Sequence, residues 1–148
     1  MNSNDSLKLI KETRDNLGIT HQRYQQYYKG IKIEGGEFLL HGRNDTIDFM
    51  NGNFETVEIS SVVPKLTEKQ ALAQALQFVN AEKYLWEDTI EERHFKERAN
   101  NPDFNSYPKG ELVIAKDYMD ETKDFKLSTN YKLVYIISIF VPHYGTSK

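Results

Sequence analysis

Apolar and polar positions along the chain divide it at Pro64 into a strand-like half and a half that opens with a helix. Leu7-Lys8-Leu9-Ile10 is a short apolar–polar run that reads as a first strand, although its length also allows one helical turn. Asn16-Leu17-Gly18 then reads as a turn, because Gly18 can take the positive φ that a β-carbon penalises. From Thr20 to Ile33 tyrosine, isoleucine and threonine favour one long extended segment. Strand geometry puts Thr20, Gln22, Tyr24, Gln26 and Tyr28 on one face and His21, Arg23, Gln25 and Tyr27 on the other. Each face mixes aromatic bulk with hydrogen-bonding groups, which a simple half-buried strand does not need.

Glu34-Gly35-Gly36-Glu37 is expected to turn, Phe38 to His41 to return as a strand, and Gly42 to Asp45 to turn again. Thr46 to Met50 follows as a strand, and Asn51-Gly52 is the strongest hairpin signal in the chain. Phe54 to Val63 alternates in part, with Val57 and Ile59 on one side, so residues 1–63 read as an antiparallel meander.

Beyond Pro64 the period changes. Thr67 is placed as an N-cap, with Gln70 completing a capping box and Leu66 and Ala71 positioned as a staple. Ala71, Leu72, Ala75, Leu76 and Val79 form one apolar stripe at helical spacing, the kind of face that packs on a sheet. Tyr84 to Tyr107 predicts a charged, helical excursion broken at Asn100-Asn101-Pro102-Asp103. Glu111 to Ala115 predicts a strand, Asp117 to Ser128 a charged turn region, and Tyr131 to Val141 the longest strand, apolar on both faces toward its end. The fold class expected is α+β, antiparallel sheets with a helix packed on the sheet, divided into residues 1–63 and 64–148.

Composition narrows the function classes. At 148 residues, 39% hydrophobic and 28% charged, the chain is globular in character and long enough to bury a core. A net charge of −3 and a pI near 5.8 give no electrostatic footprint for nucleic acid or an anionic membrane. No apolar run reaches the roughly 18 residues a membrane-spanning helix needs. Met1 to Asp5 lacks the charged-then-apolar layout of a signal peptide, which a mature secreted chain and a cytosolic one would both show. The absence of cysteine excludes disulfides, thiolate catalysis and cysteine-ligated metal.

No catalytic constellation is legible: there is no His-Glu-x-x-His, no phosphate loop and no nucleophile elbow. His21, His41, His94 and His143 lack metal-ligand spacing and read as structural, hydrogen-bonded histidines, although adjacent strands could bring His21 and His41 together. Arg23 and Gln26, three apart, face opposite sides and are expected to serve separate buried polar networks; the sharper alternative is that Arg23 or Tyr24 meets a partner. Asp15 is expected to cap its own turn, and Gly30 to permit a bulge or a close approach. Trp86 reads as core in preference to a partner anchor. Glu87, Asp88, Glu91 and Glu92 read as a solvated helix face, since they lack the alternating carboxylate-and-glycine loop of a calcium site.

One pattern goes further. Asp15-x-x-Gly18-x-x-His21-x-Arg23-Tyr24-x-Gln26-x-Tyr28-x-Gly30-Ile31-x-Ile33, continued by Glu37…His41 and Ile47…Asn51-Gly52, resembles the signature of the fungalysin/thermolysin propeptide (FTP) domain, the first part of the prosegment of secreted zinc metalloproteases. Leu66-Thr67-x-x-x-Ala71 and Lys109 to Ile114 carry a looser resemblance to the PepSY domain that usually follows, with its cystatin-like arrangement. The resemblance implies an FTP-like domain over 1–63 and a PepSY-like domain over 64–148. The latter is expected to be truncated, since the family's closing Tyr-Val-Asp-Ala-x-Thr-Gly strand is not matched before Lys148.

It further implies a non-catalytic chain that inhibits and helps fold a cognate zinc metalloprotease catalytic domain attached in cis, outside the cytoplasm (secreted, extracellular or periplasmic). No catalytic or metal residue, cofactor, nucleic-acid partner or membrane insertion is expected. Asp15, Gly18, His21, Arg23, Tyr24, Gln26, Gly30, His41, Asn51 and Gly52 are the motif residues it marks as structural or docking. The alternative from another class is a stand-alone secreted or periplasmic binding module with no protease attached.

Overall fold

Two residues in the left-handed region, Lys29 (φ 48°) and Gly30 (φ 81°), split the expected long strand into a hairpin. Tyr28 and Ile31 pair directly across this two-residue loop, so it is the tight turn whose twist matches antiparallel strands. Gly30 therefore supplies a turn, and nothing lies within 4 Å of where its β-carbon would sit, so close approach is not its role. The structure, a computed structural model, describes residues 4–44, 46–117 and 130–142. His143 and residues 118–128 of the expected charged turn lie outside the described residues, as does Asp45.

The architecture is α+β. Strands β1 (Asp5–Arg14), β2 (Thr20–Tyr28), β3 (Ile31–Arg43), β4 (Thr46–Gly52), β5 (Gly110–Lys116) and β6 (Tyr131–Ile137) form a six-stranded sheet in the order β1-β2-β3-β5-β6, with β4 also on β3. Helices α1 (Glu68–Val79) and α2 (Thr89–Arg98) complete it. Most ladders are antiparallel, but β5 pairs β3 in parallel at Lys32↔Val113 and Ile33↔Ile114. A strand has two edges and β2 takes one of them, so β4 (against Phe38–Arg43) and β5 share the other.

Glu34 to Glu37 is not the turn expected from its glycines. The chain stays within β3, and the register slips so that Gln25 pairs Glu37 while Tyr27 pairs Lys32. The surplus residues form a bulge with Gly35 at φ 75°. The Gln25 side chain closes that bulge: its Nε2 shares its two N–H groups among the carbonyls of Ile33 (2.7 Å), Gly36 (3.0 Å) and Gln26 (3.0 Å). Asn51-Gly52 makes no hairpin either: both residues end β4, and residues 53–63 form no strand. The last strand stops at Ile137, short of the expected Val141, and β3 is the longest.

The chain forms two compact units, one of Met1–Pro64 with Leu112–Val134 and one of Lys65–Glu111 with Tyr135–Lys148. In the first, Tyr28, Ile33, Val57, Ile114 and Tyr131 form the buried cluster, with Ile31, Ile59, Val62 and Leu133 packed against it. Val57 reaches this core from an irregular segment, which explains the partial alternation of residues 54–63 without a strand.

In the second unit, the capping box is formed as expected: Thr67 Oγ1 accepts from the Gln70 backbone N–H, and Gln70 Oε1 accepts from that of Thr67 at 2.9 Å. Ala71, Leu72, Ala75 and Leu76 are half-buried, whereas Val79 is exposed. Glu68 Oε1 accepts the Gly110 N–H at 2.8 Å, tying the first turn of α1 to the start of β5. Asp88 N-caps α2 through Oδ1, and Glu92 Oε1 accepts both the N–H and Oγ–H of Ser106. Two carboxylates of the expected solvated face therefore have structural work, because the first-turn amides of α2 and the Ser106 donors needed acceptors there. Trp86 is half-buried, stacked on Tyr84 and edge-on to Tyr107.

Candidate functional site

The expected motif residues gather in the first unit on β2, β3, β4, the turn before β2 and the β2–β3 turn that holds Gly30. Asp15 opens that turn. Its Oδ1 accepts the backbone N–H groups of Leu17 and Ile19, both at 2.9 Å, while Gly18 takes φ 75°. The Ile19 amide lowers the Asp15 carboxyl most; burial pushes it upward, and His21 and the Leu17 amide help keep it below its usual range.

His21 and His41 are register partners on β2 and β3, and the fold brings their Nδ1 atoms to 2.6 Å. His21 Nε2 lies 3.2 Å from Asp15 Oδ2, and His41 Nε2 lies 3.2 Å from Asn51 Oδ1. The His41 ring also stacks on Phe49 of β4 with centroids 5.8 Å apart. Asp15, His21, His41 and Asn51 thus form one hydrogen-bonded line through the turn and three strands.

On the same strands Arg23 pairs with Glu37 at 2.8 Å, with about half of its side chain exposed. The buried network expected for Arg23 is therefore an exposed ion pair, because its face of β2 is open to solvent at that point. Exposed pairs of this kind contribute little to stability. Tyr24 faces the other way, donating from its hydroxyl to Gln22 Oε1 at 3.2 Å. Gln22 in turn reaches Glu12 on β1 at 2.6 Å, and these side chains line a polar cavity of about 470 Å³ that also touches Leu40 and Arg43.

Gln26 is fully buried. Its Nε2 donates to the Glu55 carbonyl at 2.8 Å and its Oε1 accepts the Glu55 N–H at 2.9 Å, so the side chain pairs with the backbone as a neighbouring strand would. The Glu55 carboxylate accepts from Lys116 Nζ at 2.8 Å and from the Tyr131 hydroxyl. Glu55 escaped the sequence reading, since a lone glutamate in an irregular stretch carries no periodic signal.

Burial pushes the Glu55 carboxyl upward, but hydrogen bonds from Lys116 and Tyr131 outweigh it and hold the group below its usual range. A carboxyl depressed by folding stabilises the fold above its unfolded pKa, and that contribution is lost as pH falls through the lower, folded value. Glu55→Gln is therefore expected to flatten the acid limb of stability below about pH 4.5. Urea midpoints measured between pH 3 and pH 7 check this; an acid limb unchanged by the substitution would show that Glu55 is not linked to folding.

Gly52 ends β4 at φ 137°, and a β-carbon there would sit 2.2 Å from the Glu37 carbonyl oxygen, which explains glycine at this motif position. Among the described residues no group of three or more histidine, aspartate or glutamate side chains is placed to hold a metal ion, and no helix is long and apolar enough to cross a membrane. His94 stands apart from the line, 3.7 Å from Glu91 on α2.

Residues 5–54 match the family model described as the Fungalysin/Thermolysin Propeptide Motif. Over 140 residues, 94% of its length, the chain is 31% identical to the zinc metalloproteinase MspA of Legionella longbeachae. It spans 23% of that relative's length. Strands β1 to β4, which hold the Asp15–His21–His41–Asn51 line, are thus the segment of this chain that carries a fungalysin/thermolysin propeptide motif.

Proposed function

We propose that this chain is the prosegment region of a secreted thermolysin/fungalysin-type zinc metalloprotease, acting in cis as intramolecular chaperone and inhibitor of the catalytic domain. The observation that carries this reading is the propeptide match over residues 5–54 within a similarity to a zinc metalloproteinase that continues across nearly the whole chain. On this reading residues 64–148 are the PepSY-like part, and the chain works outside the cytoplasm, where such proteases act.

The physics is differential binding. A folded module that binds the near-native protease better than its unfolded chain shifts the folding equilibrium toward the native state. Docked beside the cleft, it pre-organises a connecting peptide and removes part of the ordering cost that limits a free peptide. Covalent attachment in the precursor supplies a high effective concentration. The motif residues divide between two tasks: Gly18, Gln26, Gly30 and Gly52 shape the module, while Arg23, Tyr24 and the histidine line are the groups through which it meets the protease.

Expression of the precursor's catalytic domain with and without this chain supplied in trans tests the reading. The chain is expected to raise the yield of soluble, active protease several-fold. No change in yield, with the chain itself folded, overturns the chaperone role and points to a stand-alone binding module. So does a coding frame that lacks a downstream His-Glu-x-x-His segment.

A further inference from the structure

The line from Asp15 to Asn51 sets a proton count. Each outer nitrogen faces an oxygen: His21 Nε2 meets Asp15 Oδ2 and His41 Nε2 meets Asn51 Oδ1, both at 3.2 Å. A carboxylate or amide oxygen only accepts, so each Nε2 carries a hydrogen. Between the two Nδ1 atoms, 2.6 Å apart, one hydrogen must lie. With none, two lone pairs oppose each other; with two, two N–H groups collide. With Asn51 Oδ1 turned toward His41, three protons are placed on the four ring nitrogens and the pair carries one positive charge.

The surroundings match that charge. Arg23 is answered by Glu37 at 2.8 Å and Arg43 by Asp48 at 3.8 Å. From β1, Thr13 stands opposite His21 and Lys11 opposite Arg23, while Glu12, which accepts from Gln22, lines the same cavity as His41. The turn brings the Arg14 guanidinium toward Gly18. Asp15 is the carboxylate in direct contact with the pair, and its loop amides hold it ionised.

We propose that the His21–His41 pair is a one-proton latch that ties the Asp15–Ile19 turn and the edge strand β4 to the centre of the sheet, and that a second proton opens it. The His21–His41–Asn51 line and the stacking of Phe49 on His41 tie β4 to the strands beneath, beside the exposed Arg43–Asp48 ion pair. β4 is exposed along its whole length, so it has little other burial to keep it ordered. Histidine pairs change charge in the physiological range, and interacting sites release their protons in steps that belong to the pair. The latch is therefore closed at intermediate pH and opens on acidification. Resting on the proposed role as prosegment, its consequence is regulatory: acidification loosens the strand that carries Ile47, Phe49 and Met50 and weakens the grip on the protease.

The test uses nitrogen-15 spectra of the histidine rings in the full chain between pH 8 and pH 4, with amide exchange of β4 followed in parallel. The expected result at pH 7 is protonation of both Nε2 atoms with one further proton shared between the Nδ1 atoms. On acidification the second proton enters in a separate, coupled step, accompanied by about tenfold faster exchange of the β4 amides after correction for intrinsic rates. His41→Gln is expected to leave His21 with a single step and to remove the pH dependence of β4 exchange. Two outcomes overturn the latch: His21 and His41 titrating independently of each other, or a neutral pair at pH 7 in which the Asn51 amide is reversed and donates to a bare His41 Nε2. These readouts need no protease, so they stand or fall apart from the prosegment reading. Protease binding compared at pH 7.5 and pH 5 tests the regulatory consequence on its own.

Discussion

Replacing Gln26 by leucine is expected to destabilise the chain by about 3 kcal/mol, far more than its polar character suggests. Leucine fills a similar volume, so little cavity is created. What is lost is the pair of hydrogen bonds to Glu55, whose N–H and carbonyl the Gln26 side chain satisfies at 2.9 and 2.8 Å. A backbone group left without a partner costs roughly 1–3 kcal/mol where water is excluded, and the fully buried leucine side chain would be what faces these two groups. At a chain length near 150 residues, a loss of this size lowers the thermal midpoint by roughly 6–12 °C. Glu55 is also the anchor for Lys116 and Tyr131, so releasing its backbone loosens that contact too. Circular dichroism melting of Gln26→Leu beside Gln22→Leu is the measurement. Gln22 makes its hydrogen bonds at a solvent-facing cavity, so its substitution should cost well under half as much. Equal losses would show that Gln26 is not the buried bridge described.

Ile33→Ala carries the other large effect, about 3–4 kcal/mol within the range for truncating a buried aliphatic side chain. Ile33 has no exposed surface and pairs Ile114 where β5 joins β3. Its truncation opens a cavity between Tyr28, Val57, Ile114 and Tyr131, residues that come from four separate stretches of chain. They cannot all shift to fill it. Phe49→Ala is the contrast: Phe49 is larger but 60% exposed, so its loss should change stability by about 0.5 kcal/mol or less. Urea unfolding of both variants tests the pair, with the slope of the transition expected to remain that of the parent. A cost for Phe49→Ala that rivals the one for Ile33→Ala would move the centre of the fold from the β3–β5 ladder to the β4 edge.

Local chemistry was legible wherever neighbouring residues settle the outcome. Asp15 and Gly18 announce their turn, Thr67 and Gln70 their helix start, and the stripe from Ala71 to Leu76 its length, because each depends on backbone geometry within a turn or two of chain. The spacing of Asp15, His21, Arg23, Gln26 and their successors was also a property of the sequence, and it carried the propeptide resemblance that the family match bears out over residues 5–54.

Competition between distant segments was not legible. Gly35-Gly36 suits a turn, yet the chain there stays in β3, since the Gln25 amide group donates among three carbonyls and closes a bulge instead. Asn51-Gly52 suits a hairpin, but among the described residues no following strand pairs with β4, so the residues end a strand. Which glutamate Gln26 would bridge, and that His21 would meet His41 at 2.6 Å, follow from strand register, which pairs residues 20 or more positions apart. The sequence by itself determined turns, caps, periodicity and family resemblance, because these are short-range consequences of side-chain chemistry. Tertiary structure decided register, burial and the meeting of His21 with His41, because those depend on which distant groups are left needing a partner once the sheet has formed.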